Sequence, residues 1–311
     1  MTDENAVRKK ERYVVGLISA AHFFSHFYIL ALPPLFLAMK EDLGVTFTEL
    51  GLITSVYAVG SFSGQYPMGI LTDKFGPRWF LIFGTLTVSS VFVLMGLFPI
   101  YWVMVGLALF AGWGDSVFHP ADFVVMTASV RPKRSGRAYA THAFAGFAGF
   151  AAAPVIVDPL RVYFSWQTAL VVIGCLGLAM TVMLLANKSL LVGEDDAIHS
   201  EATQIQPSQS MGVMEFIKFP PILILFFFYI AVALAGNGIQ QFSPSALPNM
   251  YDIELSTANR VLFVFMVGIS VGVLFGGYIA DRVQRLELVA TVSYIISIIT
   301  LCIVALNFLP F

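Results

Sequence analysis

Nine apolar segments, each long enough to cross a bilayer, account for most of this chain. A membrane-spanning α-helix needs roughly 20 apolar residues, and in lipid each helix must satisfy its own backbone hydrogen bonds. Because 58% of the residues are hydrophobic and only 12% are charged, we predict an all-α membrane protein with about nine transmembrane helices. They cover residues 13–38, 49–72, 78–98, 100–127, 137–160, 164–189, 219–248, 256–280 and 286–309.

The connections between these segments alternate between basic and nearly neutral. Basic residues are enriched in the cytoplasmic loops of membrane proteins, so we predict that the N-terminus is cytoplasmic. The net charge of −2 leaves no excess of cations for a nucleic-acid partner. The basic side carries Arg8, Lys9, Lys10, Arg12, Lys74, Arg78, Arg131, Lys133, Arg134, Arg137, Lys188, Lys218, Arg282 and Arg285, and the other side carries Lys40, Arg161 and Arg260.

One short charged loop occurs twice, and its two aspartates are offset by 208 positions. The motif Ala31-Leu-Pro33 also returns, as Ala246-Leu-Pro248. A hairpin repeated at half-protein spacing indicates a duplicated helical bundle, as in many transporters. The first copy contains Gly69, Asp73, Lys74, Gly76 and Arg78, and the weaker second copy contains Gly277, Asp281 and Arg282.

Residues 191–218 form a long polar stretch rich in Ser, Gln and acidic residues, which we interpret as a flexible cytoplasmic linker. It separates an N-terminal six-helix half-bundle, residues 1–190, from three helices in residues 219–311. Helices 7–9 repeat helices 1–3, and no counterparts of helices 4–6 follow in this sequence. We interpret this half as an incomplete reading frame. The alternative is a nine-helix protein that needs a second chain.

The first charged loop matches the signature Gly-x-x-x-Asp-(Arg/Lys)-x-Gly-x-(Arg/Lys), and over its nine helices the chain resembles the major facilitator superfamily. A narrower resemblance is to the fosmidomycin-resistance branch of drug efflux proteins. It rests on the segment beginning Ser25-His26, on Ser116 to Asp122, and on Gly136 to Pro154. The resemblance implies two pseudo-repeated half-bundles in a bacterial inner (plasma) membrane, with the charged loops acting as a cytoplasmic gate. The alternative role for these loops is to set topology alone.

Polar groups inside the predicted spans are the candidate site. His22 and His26 are four residues apart and therefore share one helix face. The 215-residue offset between the two copies maps them onto Asn237 and Gln241. Ionisable groups at membrane depth usually face a cavity or a partner. The resemblance implies that helices 1 and 7 line the central cavity, so we expect these pairs to face the substrate there, while the alternative is hydrogen bonding between neighbouring helices.

Asp115, His119 and Asp122 follow at spacings of four and three residues, which predicts one stripe on helix 4. A carboxylate one turn from an imidazole can hold or pass a proton, since imidazole titrates near neutral pH. We therefore expect Asp115 and His119 to act in coupling or substrate binding. Asp122 and His142 either share that role or simply pair with each other.

These observations predict a secondary transporter rather than an enzyme, because no phosphate loop, zinc spacing or nucleophile arrangement is present. Its partners would be the lipid bilayer, a small organic substrate and protons, and we expect export by alternating access. The alternatives are an uptake symporter or facilitator for an organic acid, and a non-transporting receptor or scaffold. We expect no cofactor and no metal, since Cys175 and Cys302 both lie in apolar segments.

Overall fold

The computed structural model describes residues 2–191, 219–280, 283 and 285–306. Most of the predicted linker (192–218), together with Asp281 and Arg282, lies outside the described residues. The helices are α1 (Thr2–Ile29), α2 (Phe36–Leu43), α3 (Phe47–Phe75), α4 (Pro77–Leu97), α5 (Tyr101–Asp115), α6 (Phe118–Ser129), α7 (Pro132–Tyr163), α8 (Trp166–Ala186), α9 (Pro220–Tyr251), α10 (Leu255–Ala280) and α11 (Leu286–Ala305), with short 3-10 turns at Pro33–Leu35 and Lys188–Leu190.

The predicted all-α membrane fold is confirmed. By length and composition, eight helical segments in the described part of the chain are apolar enough to cross a membrane. One combines α1 with α2, and another combines α5 with α6. The remaining predicted span, residues 49–72, is helical in α3. Its interior includes Ser61, Ser63 and Gln65, which lower its mean hydropathy.

Two of the predicted spans are not continuous helices. Pro33 and Pro34 follow the end of α1, and Pro120 lies just after the gap between α5 and α6. Proline has no N–H for the carbonyl four residues earlier, so Pro120 cannot complete the helical hydrogen bond to Ser116. The segments 13–38 and 100–127 are therefore each divided into two helices.

The first helix begins at Thr2 rather than at residue 13. Glu11 lies on this extension and is only 5% exposed. It forms ion pairs with Arg131, which precedes α7, and with Arg134 in the first turn of α7. These contacts hold the polar end of α1 as a helix. The apolar pattern alone could not show this extension, because ion pairs rather than lipid stabilise it.

Glycines allow close packing in the N-terminal half. The main helix pairs are α1 with α7, α3 with α5, and α4 with α8. A Cβ at Gly112 of α5 would overlap the carbonyl oxygen of Tyr57 on α3, and a Cβ at Gly149 of α7 would overlap that of Phe23 on α1. Small residues let membrane helices approach closely, so these backbones pack in direct contact.

The C-terminal helices join this bundle mainly through α10, which packs against α7, while α9 contacts the turn Pro33–Leu35 and α2. Arg161 near the end of α7 donates to Ser256 on α10 at 3.3 Å, and Asn259 donates to the carbonyl of Pro34 at 3.4 Å. Both contacts lie at the end opposite the basic loops. The division into two half-bundles at residues 191–218 stays a prediction.

Candidate functional site

The four histidines of the predicted spans lie together, although they come from three helices. His22 and His26 are on α1, His119 is on α6 and His142 is on α7. The ring centroid of His22 lies 4.3 Å from that of His26, 5.2 Å from that of His119 and 3.9 Å from that of His142. The shared face of His22 and His26 is therefore confirmed, and the fold adds two further imidazoles to it.

Asp122 lies against two of these imidazoles. Its Oδ2 atom is 3.4 Å from Nδ1 of His22 and 3.4 Å from Nε2 of His142. The side chain is fully buried, and neither carboxylate oxygen has a hydrogen-bond partner among the described residues. The structure thus places Asp122 beside His142, as one interpretation of the sequence expected, and adds His22 as a second neighbour.

Gly146 on α7 makes this close approach possible. A Cβ at this position would lie 2.8 Å from Nε2 of His22 and 2.8 Å from Nδ1 of His26, which is closer than side-chain carbon can pack. His22 and His142 are buried, whereas His26 is half-buried and His119 is exposed. The histidine cluster therefore runs from the interior of the bundle to an open face at His119.

Asp115 belongs to a separate hydrogen-bond network. Its carboxylate accepts hydrogen bonds from Ser25 of α1 at 2.8 Å and from Ser61 of α3 at 2.9 Å. The side chain is 7% exposed. Among the described residues, it forms no ion pair with His119 or with any other cation. Asp115 thus links three helices through hydroxyl groups.

The predicted stripe of Asp115, His119 and Asp122 crosses the junction of α5 and α6. Ser116 and Val117, which lie between the two helices, keep right-handed helical backbone angles. Asp115 accepts hydrogen bonds from α1 and α3, while Asp122 lies against two of the histidines. A shared role for the three residues stays a prediction.

The predicted counterparts on α9 lie apart from these contacts. Asn237 is exposed, and its Nδ2 donates to the carbonyl of Ala233 on the same helix at 2.9 Å. Gln241 is half-buried, and its Oε1 has no hydrogen-bond partner in the part of the chain that the structure describes. A role for this pair in the cavity stays a prediction.

The first charged loop forms a tight turn between α3 and α4. Gly76 has a φ of +79°, which favours glycine, and Pro77 begins α4. Asp73 is exposed and, within the described ranges, forms no ion pair. The other motif residues are Gly69 and Lys74 on α3, Arg78 at the start of α4, and Gly277 on α10. The predicted partner positions Asp281 and Arg282 lie outside the described residues.

Sequence reasoning missed Ser25, Ser61 and Gly146. Ser25 carries a usable signal, because it lies three residues after His22 and so shares its side of α1. Ser61 and Gly146 could be recognised only once the pairing of α3 with α5 and of α1 with α7 was known. Ser61 satisfies a buried group on another helix, and Gly146 leaves room for side chains of another helix. A single sequence does not encode which helices meet.

The fold and its apolar helices define a multi-pass membrane protein. A family model described as Major Facilitator Superfamily matches residues 18–311, and the chain belongs to this superfamily. A crystal structure of a bacterial homolog to the human lysosomal transporter Spinster, inward-facing and unoccupied, has a TM-score of 0.76 at 15% identity. The match covers 89% of this chain and 64% of that one, and it supports the fold alone.

Three curated proteins are similar to this chain at modest identity. The fosmidomycin resistance protein of Escherichia coli (strain K12) is 27% identical over 284 residues, covering 88% of this chain and 66% of the relative. The membrane sensor protein UhpC of the same organism is 23% identical, covering 76% and 56%. The probable L-galactonate transporter of Escherichia coli (strain K12) is 24% identical, and the match covers 79% of this chain and 56% of that protein. This chain thus spans between 56% and 66% of the length of these relatives.

Proposed function

We propose that this chain acts as a secondary transporter that moves a small organic compound across a bacterial inner membrane by alternating access. Membership of the superfamily supports this proposal, and so do the contacts between the two sets of helices at one end. Alternating access needs gates on both sides of a central site. We assign the outer gate to Arg161 with Ser256, and the cytoplasmic gate to the loops of Asp73 and Asp281.

We also propose that the compound is exported in exchange for protons, and the observation that carries this is the setting of Asp115. This carboxyl group is buried, with two hydroxyl donors and no cation within ion-pair distance in the described residues. An ionised carboxylate without a cation is costly in an apolar interior, and that cost falls when water reaches the group. A change from a closed to a hydrated state would therefore release a proton.

The substrate would contact the open face of the histidine cluster. His119 is exposed and His26 is half-buried, and Phe150 lies 4.4 Å from the ring of His26. Imidazole and aromatic groups together suit a small polar compound with an apolar part. Asn237 and Gln241 would provide hydrogen bonds from the second set of helices.

Everted membrane vesicles test this function directly. Respiration acidifies the vesicle lumen, and a pH-sensitive dye reports the gradient. We use fosmidomycin as the first probe, because one relative is named for resistance to it. Exchange for protons predicts that adding the probe dissipates the gradient in vesicles with this chain and not in vesicles without it. Uptake of labelled probe that ignores the gradient would rule out proton coupling.

Two other functions are each favoured by one similarity. The probable L-galactonate transporter favours uptake of an organic acid, which the direction of labelled flux would distinguish. The membrane sensor protein UhpC favours a receptor that does not transport. Replacing both Asp115 and His119 by Ala separates these classes, because a receptor that needs no coupling would keep its signalling output while a transporter would lose flux.

A further inference from the structure

We propose that His22, Asp122 and His142 bind a divalent transition-metal ion of the zinc class between α1, α6 and α7. Each residue offers one donor atom, and these donor atoms all lie within 4.8 Å of one another. The three residues come from positions up to 120 residues apart, so they form no local spacing motif. For this reason the sequence alone led to the expectation of no metal.

The separations of the donor atoms match metal coordination better than hydrogen bonding. Asp122 Oδ2 lies 3.4 Å from both His22 Nδ1 and His142 Nε2. A charge-assisted N–H···O bond is shorter, at about 2.7–2.9 Å. Tetrahedral zinc with bonds of about 2.0–2.1 Å separates its ligand atoms by roughly 3.3–3.4 Å. Two of the three donor separations therefore match. Because the His22 and His142 rings are stacked with an interplanar angle of 20°, at least one ring would turn about its side-chain torsions when the ion binds.

The same atoms lack hydrogen-bond partners. Nδ1 of His22, both carboxylate oxygens of Asp122 and both ring nitrogens of His142 are buried and unpartnered among the described residues. The three side chains are between 0% and 3% exposed. Buried polar atoms are nearly always satisfied in native proteins. One metal ion would satisfy a donor atom from each residue at once.

A proton on one imidazole satisfies this site less completely. Asp122 would then pair with one ring, while the other ring, stacked on it at 3.9 Å, would keep its unpartnered nitrogen. Two imidazoles and one carboxylate suit Zn²⁺ or a neighbouring transition metal, whereas Ca²⁺ and Mg²⁺ prefer oxygen ligands alone. Three protein donors leave a coordination position for water or another ligand.

Metal content of the purified full chain tests this proposal. The chain is purified in detergent without a histidine tag, treated with a chelator, equilibrated with ZnSO₄ and passed through size exclusion, and its zinc is measured by mass spectrometry. We expect about one zinc per chain in the parent. Asp122→Asn and His142→Gln should each weaken binding by more than about 10–100-fold, which is the loss that follows when only an outer partner of a metal ligand is removed.

His119→Gln and His199→Gln are the matched controls, because neither residue belongs to the proposed ligand set, and both should retain zinc. If the ligand variants do not fold, Co²⁺ added to the parent decides the question, since bound cobalt shows visible d–d absorption that excess zinc removes. A parent that binds no metal, or folded ligand variants that keep it, would overturn the proposal. This outcome is independent of transport, because proton coupling is assigned to Asp115.

Discussion

Arg161 of α7 binds Asp158 on its own helix and Ser256 on α10 with the same guanidinium group. Its Nη2 atom lies 2.7 Å from Asp158 Oδ1 and 3.3 Å from Ser256 Oγ, and Nε lies 3.1 Å from the same carboxylate oxygen. The two contacts to Asp158 fix the direction of the guanidinium. The bond to Ser256 is therefore made by an oriented donor, which favours a defined closed state at this end.

Removing this donor should open the contact between α7 and α10. In a variant with Cys175 and Cys302 replaced by Ala, a cysteine at the buried position Asn259 reports opening through its reaction with a maleimide in detergent. We expect Arg161→Ala to speed labelling by about fivefold, which corresponds to a net hydrogen bond of about 1 kcal/mol.

Arg260→Ala is the matched control for this experiment. Arg260 lies on the same helix as the reporter, but its Nε donates to the carbonyl of Ser256 within that helix at 3.3 Å. Its loss should leave the labelling rate near that of the parent. Equal rates in Arg161→Ala and the parent would mean that this contact does not hold the end closed.

Gly149→Ala should destabilise the pairing of α1 with α7. The added methyl group would overlap the backbone carbonyl of Phe23, which cannot move away as a flexible side chain can. Overpacking of this kind costs about 1–3 kcal/mol, so thermal unfolding in detergent should occur at a lower temperature. Gly136→Ala on the same helix meets no atom within 4 Å and should change little. Similar unfolding temperatures for the two variants would argue against direct backbone contact.

Asp115→Asn should uncouple transport from the proton gradient. Asparagine can accept the hydrogen bond from one of the two serines through its amide oxygen and donate to the hydroxyl of the other through its amide nitrogen, but it cannot take up and release a proton at this site. We expect counterflow of labelled substrate to continue while its acceleration by a pH gradient disappears, as measured in proteoliposomes. Ser25→Ala leaves the carboxyl group in place, so transport by this variant should still be accelerated by the pH gradient. Transport that is still driven by the pH gradient in Asp115→Asn would mean that Asp115 is not the coupling residue.

Replacing Asp73 should slow transport, whereas replacing Asp42 should lower the unfolding temperature. Asp73 is exposed and has no ion pair within the described ranges, so Asp73→Asn should slow transport several-fold without lowering the unfolding temperature. Asp42 accepts hydrogen bonds from Trp166 Nε1 at 3.0 Å and Gln167 Nε2 at 2.7 Å, so Asp42→Ala should lower that temperature. Unchanged transport in Asp73→Asn would mean that the first charged loop sets topology and does not act as a gate.

The nine helical segments were predictable because apolar length and charged loops both follow from the cost of placing polar groups in lipid. The interruptions were not. Pro120 coincides with a break, whereas Pro67 and Pro154 lie inside continuous helices. Proline weakens a helix at every one of these positions, and tertiary packing decides whether the helix continues.

The site was predictable in parts for a similar reason. The spacing of His22 and His26 fixes their relation within one helix, so that part was correct. The approach of His142, 120 residues away, depends on Gly146 and on the pairing of α1 with α7. The hydrogen bonds of Asp115 to Ser25 and Ser61 come from other helices, so its spacing from His119 and Asp122 could not show them.

The interruption at Pro120 has a consequence for hydration. The carbonyl of Ser116 lacks its usual helical donor, and it lies beside Asp115 in the chain. A backbone carbonyl without its helical donor is tolerated at membrane depth only inside protein or along a water-filled cavity. The Ser116 carbonyl can therefore accept a hydrogen bond from water next to the buried carboxyl group of Asp115. Water that solvates this carbonyl would come within reach of Asp115, so the backbone itself would set where solvent first enters the bundle.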